Sequence, residues 1–385
     1  MLLKEPRPHS GSQLRALRLD AGALDAADVA AWSELADRAV EPNPFFRPEY
    51  VLASVVERRE PVELIVVRDH DRWLACMPFR RKSRWRGRPF PCLHPWLPEY
   101  SVLATPLVDR HAVGLAADAF VAKIREQRDA AMLVLEQFPP DGPVAAALAA
   151  ASQRQGVRPI VVREFERAAW RRRPDGSRTN LPVAMGADRQ ARKLRQLARR
   201  LDAELEVVDR ASEPAAWDRF MEMESSGWKG KAGTALLAKS TDAAFFRAMC
   251  AGMSRRGALE LRSLEGDGRS VAMECNLKEG DEFLYAFKMA YDAEFDNCSP
   301  GAQLQLLWRP RAGLLLFDRC APPDNITANQ IWPDRRRMQT LLLPTGAPSA
   351  RLLRLGLSFE ATRLGLWSTA KVRSVSDEIR RRRAG

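Results

Sequence analysis

The sequence predicts an α/β protein, with α+β mixed sheets, arranged as two similar domains in tandem. Three observations predict it. Strand-like alternation and helix-like spacing follow one another along the chain instead of segregating into separate halves. A helix-then-hairpin order occurs twice: "AAWSELADRA" (30–39) precedes "VELIVVRDHDRWLACMPF" (62–79), and "AAWDRFMEMES" (215–225) precedes "LELRSLEGDGRSVAMECN" (259–276). Glu63, Leu64, Arg72 and Ala75 of the first hairpin match Glu260, Leu261, Arg269 and Ala272 of the second. Finally, "RRRPDGSRTNLP" (171–182) gathers Pro, Gly, Ser and Asn where a junction between two duplicated units belongs. The expected division is 1–175, 176–347 and a basic amphipathic tail, 348–385.

In the first unit a strand is expected near 14–19 and a helix near 26–39, from apolar positions at helical spacing. The three prolines of "EPNPFFRPEY" break that pattern before a helix at 48–58. The hairpin at 62–80 turns at "DHD", whose side chains tolerate local turns. "RWRGRPFPCLHPWLPEYSVLATPLV" reads as an ordered loop. A helix near 112–127, a strand at 131–137 and a helix at 142–155 follow. The second unit opens with a basic helix, 188–203, then a strand at 204–209 and a helix around Trp217. Gly227, Gly230 and Gly233 punctuate the next loop, and a helix at 241–256 leads into strands at 258–265 and 269–278. "KEGDE" turns the chain into a strand at 282–291, followed by a helix to about residue 312, a strand at "GLLLFDRC", a short helix at "NQIWPDRR" and a last strand at "RMQTLLLPT".

Chemistry is expected around 283–301. In "FLYAFKMAY" simple alternation puts Phe283, Tyr285, Phe287, Met289 and Tyr291 on one face and Leu284, Ala286, Lys288 and Ala290 on the other. Ser299 suits an N-cap, Pro300 the first helical position, and Gly301 leaves the first turn, with Ala302, uncovered by side chain. Free backbone N–H groups and the positive dipole end make such a turn fit for an anion, or simply a capped helix start.

The chain has 61 Lys+Arg against 49 Asp+Glu, so its net charge of +12 favours anionic partners or reflects an arginine-rich composition. Six cysteines include no C-x-x-C pair, and the four histidines are not spaced as metal ligands, so no metal site is expected. Scattered thiols, an N-terminus without an apolar leader and no long apolar run point to the cytoplasm.

The order of elements in the second unit, with "GWKGKAGTAL" (227–236), "FKMAYD" (287–292), "SPG" (299–301) and "FDRCAPPDNITANQIWPDRR" (317–336), resembles the GNAT acyltransferase fold, and residues 30–345 resemble the FemAB-like and CelD-type acetyltransferase-domain proteins. "NPFFRPEY" (43–50) is similar to that family's entry motif. The resemblance implies two tandem GNAT-like domains and transfer of an acyl group from acyl-CoA, such as acetyl-CoA, to an amine or hydroxyl of a small-molecule or sugar acceptor, in a setting such as envelope polysaccharide metabolism. It implies donor pyrophosphate at Ser299, Pro300, Gly301 and Ala302, and acceptor contacts from Trp228, Lys229, Tyr291, Asp292 and Asn329. For catalysis the residues offer Glu274 as base or as one half of a cross-strand ion pair, Lys288 beside it, and Asp318 as acid–base group or loop cap. With a three-residue "KEGDE" loop Glu274 stands opposite Lys288; a two-residue turn shifts it by one. Cys320 reads as a buried thiol. The tyrosine that many GNAT enzymes carry on the helix after their fifth strand is absent, because tyrosines occur only at 50, 100, 285 and 291. Two other functions stay open: aminoacyl transfer from charged tRNA, met by the arginines of 188–203, and a non-enzymatic binding protein on the same fold.

Overall fold

The computed structural model describes residues 13–59, 61–96, 100–173 and 186–350, with the Trp228 side chain left aside. The expected tail from 351 onward and most of the expected junction lie outside the described residues. The first unit runs β1 (Leu14–Asp20), α1 (Ala26–Asp37), α2 (Pro48–Arg58), β2 (Glu63–Asp69), β3 (Arg72–Lys82), β4 (Cys92–Pro95), β5 (Leu107–Val108), α3 (Val113–Glu126), β6 (Met132–Phe138), α4 (Pro143–Arg154) and β7 (Ile160–Arg171). The second runs α5 (Ala187–Leu201), β8 (Leu205–Asp209), α6 (Pro214–Ser226), α7 (Trp228–Lys231), α8 (Ser240–Arg255), β9 (Leu259–Gly266), β10 (Arg269–Glu279), β11 (Phe283–Tyr291), α9 (Pro300–Leu306), β12 (Leu316–Asp318), α10 (Ile326–Ile331) and β13 (Asp334–Pro344).

All strands among the described residues join one mixed sheet in the order β1-β2-β3-β4-β6-β13-β7-β12-β11-β10-β9-β8, with β5 beside β3. The two units therefore exchange their last strands: β7 pairs with β12, and β13 with β6. At the centre β7 and β13 run antiparallel, with Arg167 opposite Arg336. Both arginines donate to Asp318 Oδ2 at 2.6 Å, and Asp318 is fully buried. A carboxylate in such a dry site persists only when paired, so this triad ties both units together.

The repeat seen in the sequence is physical. Arg72 and Arg269 each pair with an aspartate just past the fourth strand position, Asp109 at 2.8 Å and Asp292 at 2.7 Å. Each aspartate also accepts the N–H two residues on, from His111 and Glu294. Helices α2 and α8 pack against one another and meet over one aromatic cluster, in which Tyr50 stands edge-on to Phe45, Phe245 and Phe287.

Three sequence expectations need correction. The proline-rich stretch read as loop contains β4 and β5, two short pieces on the same edge of β3. β7 was not anticipated; its outer half alternates in exposure while its inner half is buried, so it carries no single period. The helix after Ser299 ends at Leu306 instead of near 312. Pro310 disfavours helix at the residue before it, and Trp308 turns instead into a buried cluster with Trp170, Phe317 and Trp332.

Candidate functional site

β11 and β12 lie parallel for three rungs only, Phe283–Leu316 to Tyr285–Asp318. Beyond them β11 continues to Tyr291 while the chain leaves β12, and a cleft of about 1360 Å³ opens between. Its floor is Ala286, Lys288 and Met289; its walls include Tyr100, Val102 and Phe165 from the first unit and Arg319 and Pro322 from the second. A second groove, sharing Met289, Tyr291, Gln305 and Thr327 with the cleft, continues to Ser299, Pro300, Gly301 and Ala302. The start of α9 thus stands at the end of a continuous channel that reaches Lys288.

A β-bulge organises the floor. The three-residue turn Gly280–Glu282 would place Glu274 opposite Lys288, but the register jumps: Asn276 faces Ala286 and Cys275 faces Lys288, leaving Phe287 as the extra residue. Simple alternation along β11 therefore fails. Phe287 packs on Phe246, and Lys288 meets Glu224 of α6, so two neighbours serve one face. Met289 now lies opposite Glu274 and reaches α9 at Gln305. An inserted residue re-aims everything after it.

Lys288 is nearly enclosed, 2.7 Å from Glu224 Oε1, with its ammonium 4.3 Å from the centre of the Tyr100 ring. Lys229 donates to the same Glu224 oxygen at 2.9 Å and to the Met289 carbonyl at 2.9 Å. Glu224 Oε2 accepts the Leu236 N–H. Burial lowers the Lys288 pKa, with the neighbouring Lys229 adding to the effect and Glu224 opposing it. Burial pushes the Glu224 carboxyl up, but its two lysines outweigh that and leave it below the usual range. Sequence reasoning missed Glu224. The signal was there: it continues the inward stripe Trp217, Phe220, Met221 at i+7, where an acid is out of place unless partnered.

The other expected residues separate into distinct tasks. Glu274 lines the cleft but is gripped by Arg319, with Arg262 at 3.5 Å, and these arginines overcome its burial to lower its pKa. That geometry matches its ion-pair alternative. Asp318 is clamped by Arg167 and Arg336 and accepts the Cys320 N–H at 2.9 Å, which matches its loop-capping alternative. Ser299 does not cap α9 with its side chain: it sits at φ 53°, and its hydroxyl accepts from Lys193 at 2.6 Å. Gly301 supplies close approach, since a Cβ there would stand 3.0 Å from Met289 Sδ. Tyr291 lines both cavities. Asp292 is held by Arg269 as Asp109 is by Arg72, which marks it as structural. Asn329 donates to the Pro323 carbonyl and braces its own loop. The Cys320 thiol is pushed up by burial. No group of residues suited to a metal ion occurs among the described residues, and no helix there is long and apolar enough to cross a membrane.

The comparisons with known proteins agree with this architecture. A family model described as Acetyltransferase (GNAT) domain matches residues 188–312. No curated protein matches the chain. Among solved structures, FemX superposes with a TM-score of 0.53 at 10% identity, over 87% of this chain and 99% of FemX. A conserved protein of unknown function from Bacteroides thetaiotaomicron superposes with a TM-score of 0.51 at 10% identity, over 83% and 98% of the two chains. Residues 188–312 thus match a GNAT acetyltransferase domain, and the chain has a GNAT-like α/β fold whose two units share one mixed sheet.

Proposed function

We propose that the chain transfers an acyl group from a thioester donor to an amine or hydroxyl acceptor in the second unit's cleft. The observation that carries this reading is the parting of β11 from β12, which exposes strand backbone and Lys288 to one channel. Acyl-CoA fits that channel as donor, with its pyrophosphate against Ser299–Ala302, where Gly301 leaves room and Lys193 stands close; Asp296, which also lines the groove, keeps the anion toward the Lys193 side. The Met289 carbonyl points to the open side, toward Lys229, so in extended backbone its N–H points the same way and can meet the acyl oxygen as charge develops there. Lys288, charged beside Glu224, gives its proton to the leaving thiolate, which its lowered pKa eases, and is recharged by the proton that the acceptor sheds as the new bond forms. This shuttle covers the role of the absent helix tyrosine: α10 reads "ITANQI". Trp228, Lys229 and Tyr291 remain proposed acceptor contacts, and the compartment proposed is the cytoplasm, where six unpaired cysteines are stable.

The test is thiol release from acetyl-CoA and longer acyl-CoA in the presence of amino-sugar and amine acceptors. The reading expects acceptor-dependent release that Lys288→Met removes; release insensitive to Lys288, or none with any acyl-CoA, overturns it. A second reading, aminoacyl transfer from charged tRNA, is favoured by one specific feature: Arg189, Arg192, Arg195 and Arg199 stand exposed on α5, whose Lys193 holds Ser299. RNA binding that weakens steeply with salt is its signature.

A further inference from the structure

Three buried carboxylates around the cleft each serve two basic side chains. Glu224 holds Lys229 and Lys288; Glu274 holds Arg319 and Arg262; Asp318 holds Arg167 and Arg336. Each cluster keeps one positive charge in excess. The next carboxylates are already engaged one to one, Asp242 with Arg58 and Glu260 with Arg311. Burying unbalanced charge is costly; a comparable cluster away from the cleft, Asp109 with Arg38 and Arg72, leaves both of its arginines partly exposed. Two of the three clusters open on the cleft: Lys288, Lys229, Glu274 and Arg319 all line it.

Arg319 gives the second, independent observation. Its side chain is 6% exposed, and its Nε and Nη1 have no hydrogen-bond partner. Its guanidinium lies 4.6 Å from both the Phe317 and Trp332 ring centres, so stacking fixes its plane without using those donors. The cleft's own acids beyond Glu274, Glu164 and Asp324, are exposed at the rim beside Arg163 and leave the interior to the cations.

We propose that the cleft takes an anionic acceptor, one bearing a carboxylate or a phosphate, with that group held between Lys288 and Arg319. That the anion arrives on an acceptor rests on the transfer reading above; the anion site itself rests on the excess charge and the unpartnered Arg319 donors. The carboxylate or phosphate completes the hydrogen bonding of Arg319 and balances the excess charge, and its arrival brings a neighbouring amine or hydroxyl to Lys288.

The probes are succinate, glycerol 3-phosphate and glycerol, titrated with and without saturating acetyl-CoA. Two readouts serve: calorimetry, and protection of Lys288 from acetic anhydride followed by peptide mass spectrometry. At least one anionic probe is expected to bind roughly tenfold or more tighter than glycerol, and which one wins separates carboxylate from phosphate. Arg319→Met should weaken the anion by about tenfold, and Glu224→Gln, which removes a competing anion, should tighten it. Glycerol binding as well as the anions, or anion binding unchanged in Arg319→Met, overturns the proposal. The protection readout needs only the unaltered chain, so a variant that fails to fold does not blunt the test. Anion binding without acetyl-CoA binding keeps this site and removes the transferase reading; acetyl-CoA binding without anion preference does the reverse.

Discussion

The two units are built alike, yet only one keeps its opening. In the second unit the edge of β10 is followed by β11 with one extra residue, Phe287, between Ala286 and Lys288. In the first unit the same edge of β3 is followed by β4 up to Pro95, then resumed by β5 at Leu107. What is a single bulged residue in one is a long excursion in the other. That excursion is anchored where the first unit's own opening lies: Ala104 N–H donates to the Gln137 carbonyl past the end of the β4–β6 pairing, and Asn43 donates to the carbonyls of Leu103 and Thr105. Leu103, Ala104 and Thr105 are buried. Tyr100, from the same segment, becomes a wall of the second unit's cleft and the ring beneath Lys288. One duplicated opening was filled, and the filling shapes the other. A duplication thus yields one site with two contributors, because a loop that closes one cleft costs little fold stability and adds a wall to its neighbour.

The largest expected effect comes from breaking what the two units share. Asp318→Asn leaves Arg167 and Arg336 facing each other without their anion, and unfolding free energy should fall by about 3–5 kcal/mol in denaturant titration. The same anion sets the acid response. Asp318, Glu224 and Glu274 all have lowered pKa values, Asp318 chiefly because Arg167 and Arg336 outweigh its burial. A lowered folded pKa contributes stability in full above the ordinary carboxylate range and loses it as pH falls through and below that range. Stability of the unaltered chain should therefore decline steeply below about pH 4, and Asp318→Asn should show a shallower decline.

A smaller effect isolates the filled opening. Asn43→Ala strands the Leu103 and Thr105 carbonyls in a buried site, which should cost about 1–3 kcal/mol and raise amide exchange across 100–106. Unchanged exchange there contradicts the anchoring. The smallest touches the contact between units: Tyr100→Leu removes the ring under Lys288, worth about 0.5–2 kcal/mol. The ring favours the charged amine, so its loss should lower the Lys288 pKa further, seen in the pH dependence of its acetylation by acetic anhydride.

Much of the fold was legible because it rests on local periodicity and on a repeat. The hairpins Glu63–Lys82 and Leu259–Glu279 were read from two strand-like runs about a polar turn and from four matched positions, and the structure shows why Arg72 and Arg269 match. β4, β5 and the exchange of β7 with β13 were not legible, because short interrupted strands and strand order follow from long-range pairing. At the site, Lys288 and Lys229 were found beside the proposed channel, whereas Glu224 was overlooked as one acid among many. The cross-strand partner of Glu274, Met289 and not Lys288, was misjudged for one reason: a bulge is a single inserted residue that no alternation pattern announces.

The most direct test of the central claim is the stoichiometry of acetyl-CoA binding by calorimetry. One open and one filled opening predict a single equivalent per chain, lost in Gly301→Val, whose side chain would press on Met289 Sδ. Two equivalents per chain, or none, would contradict the account.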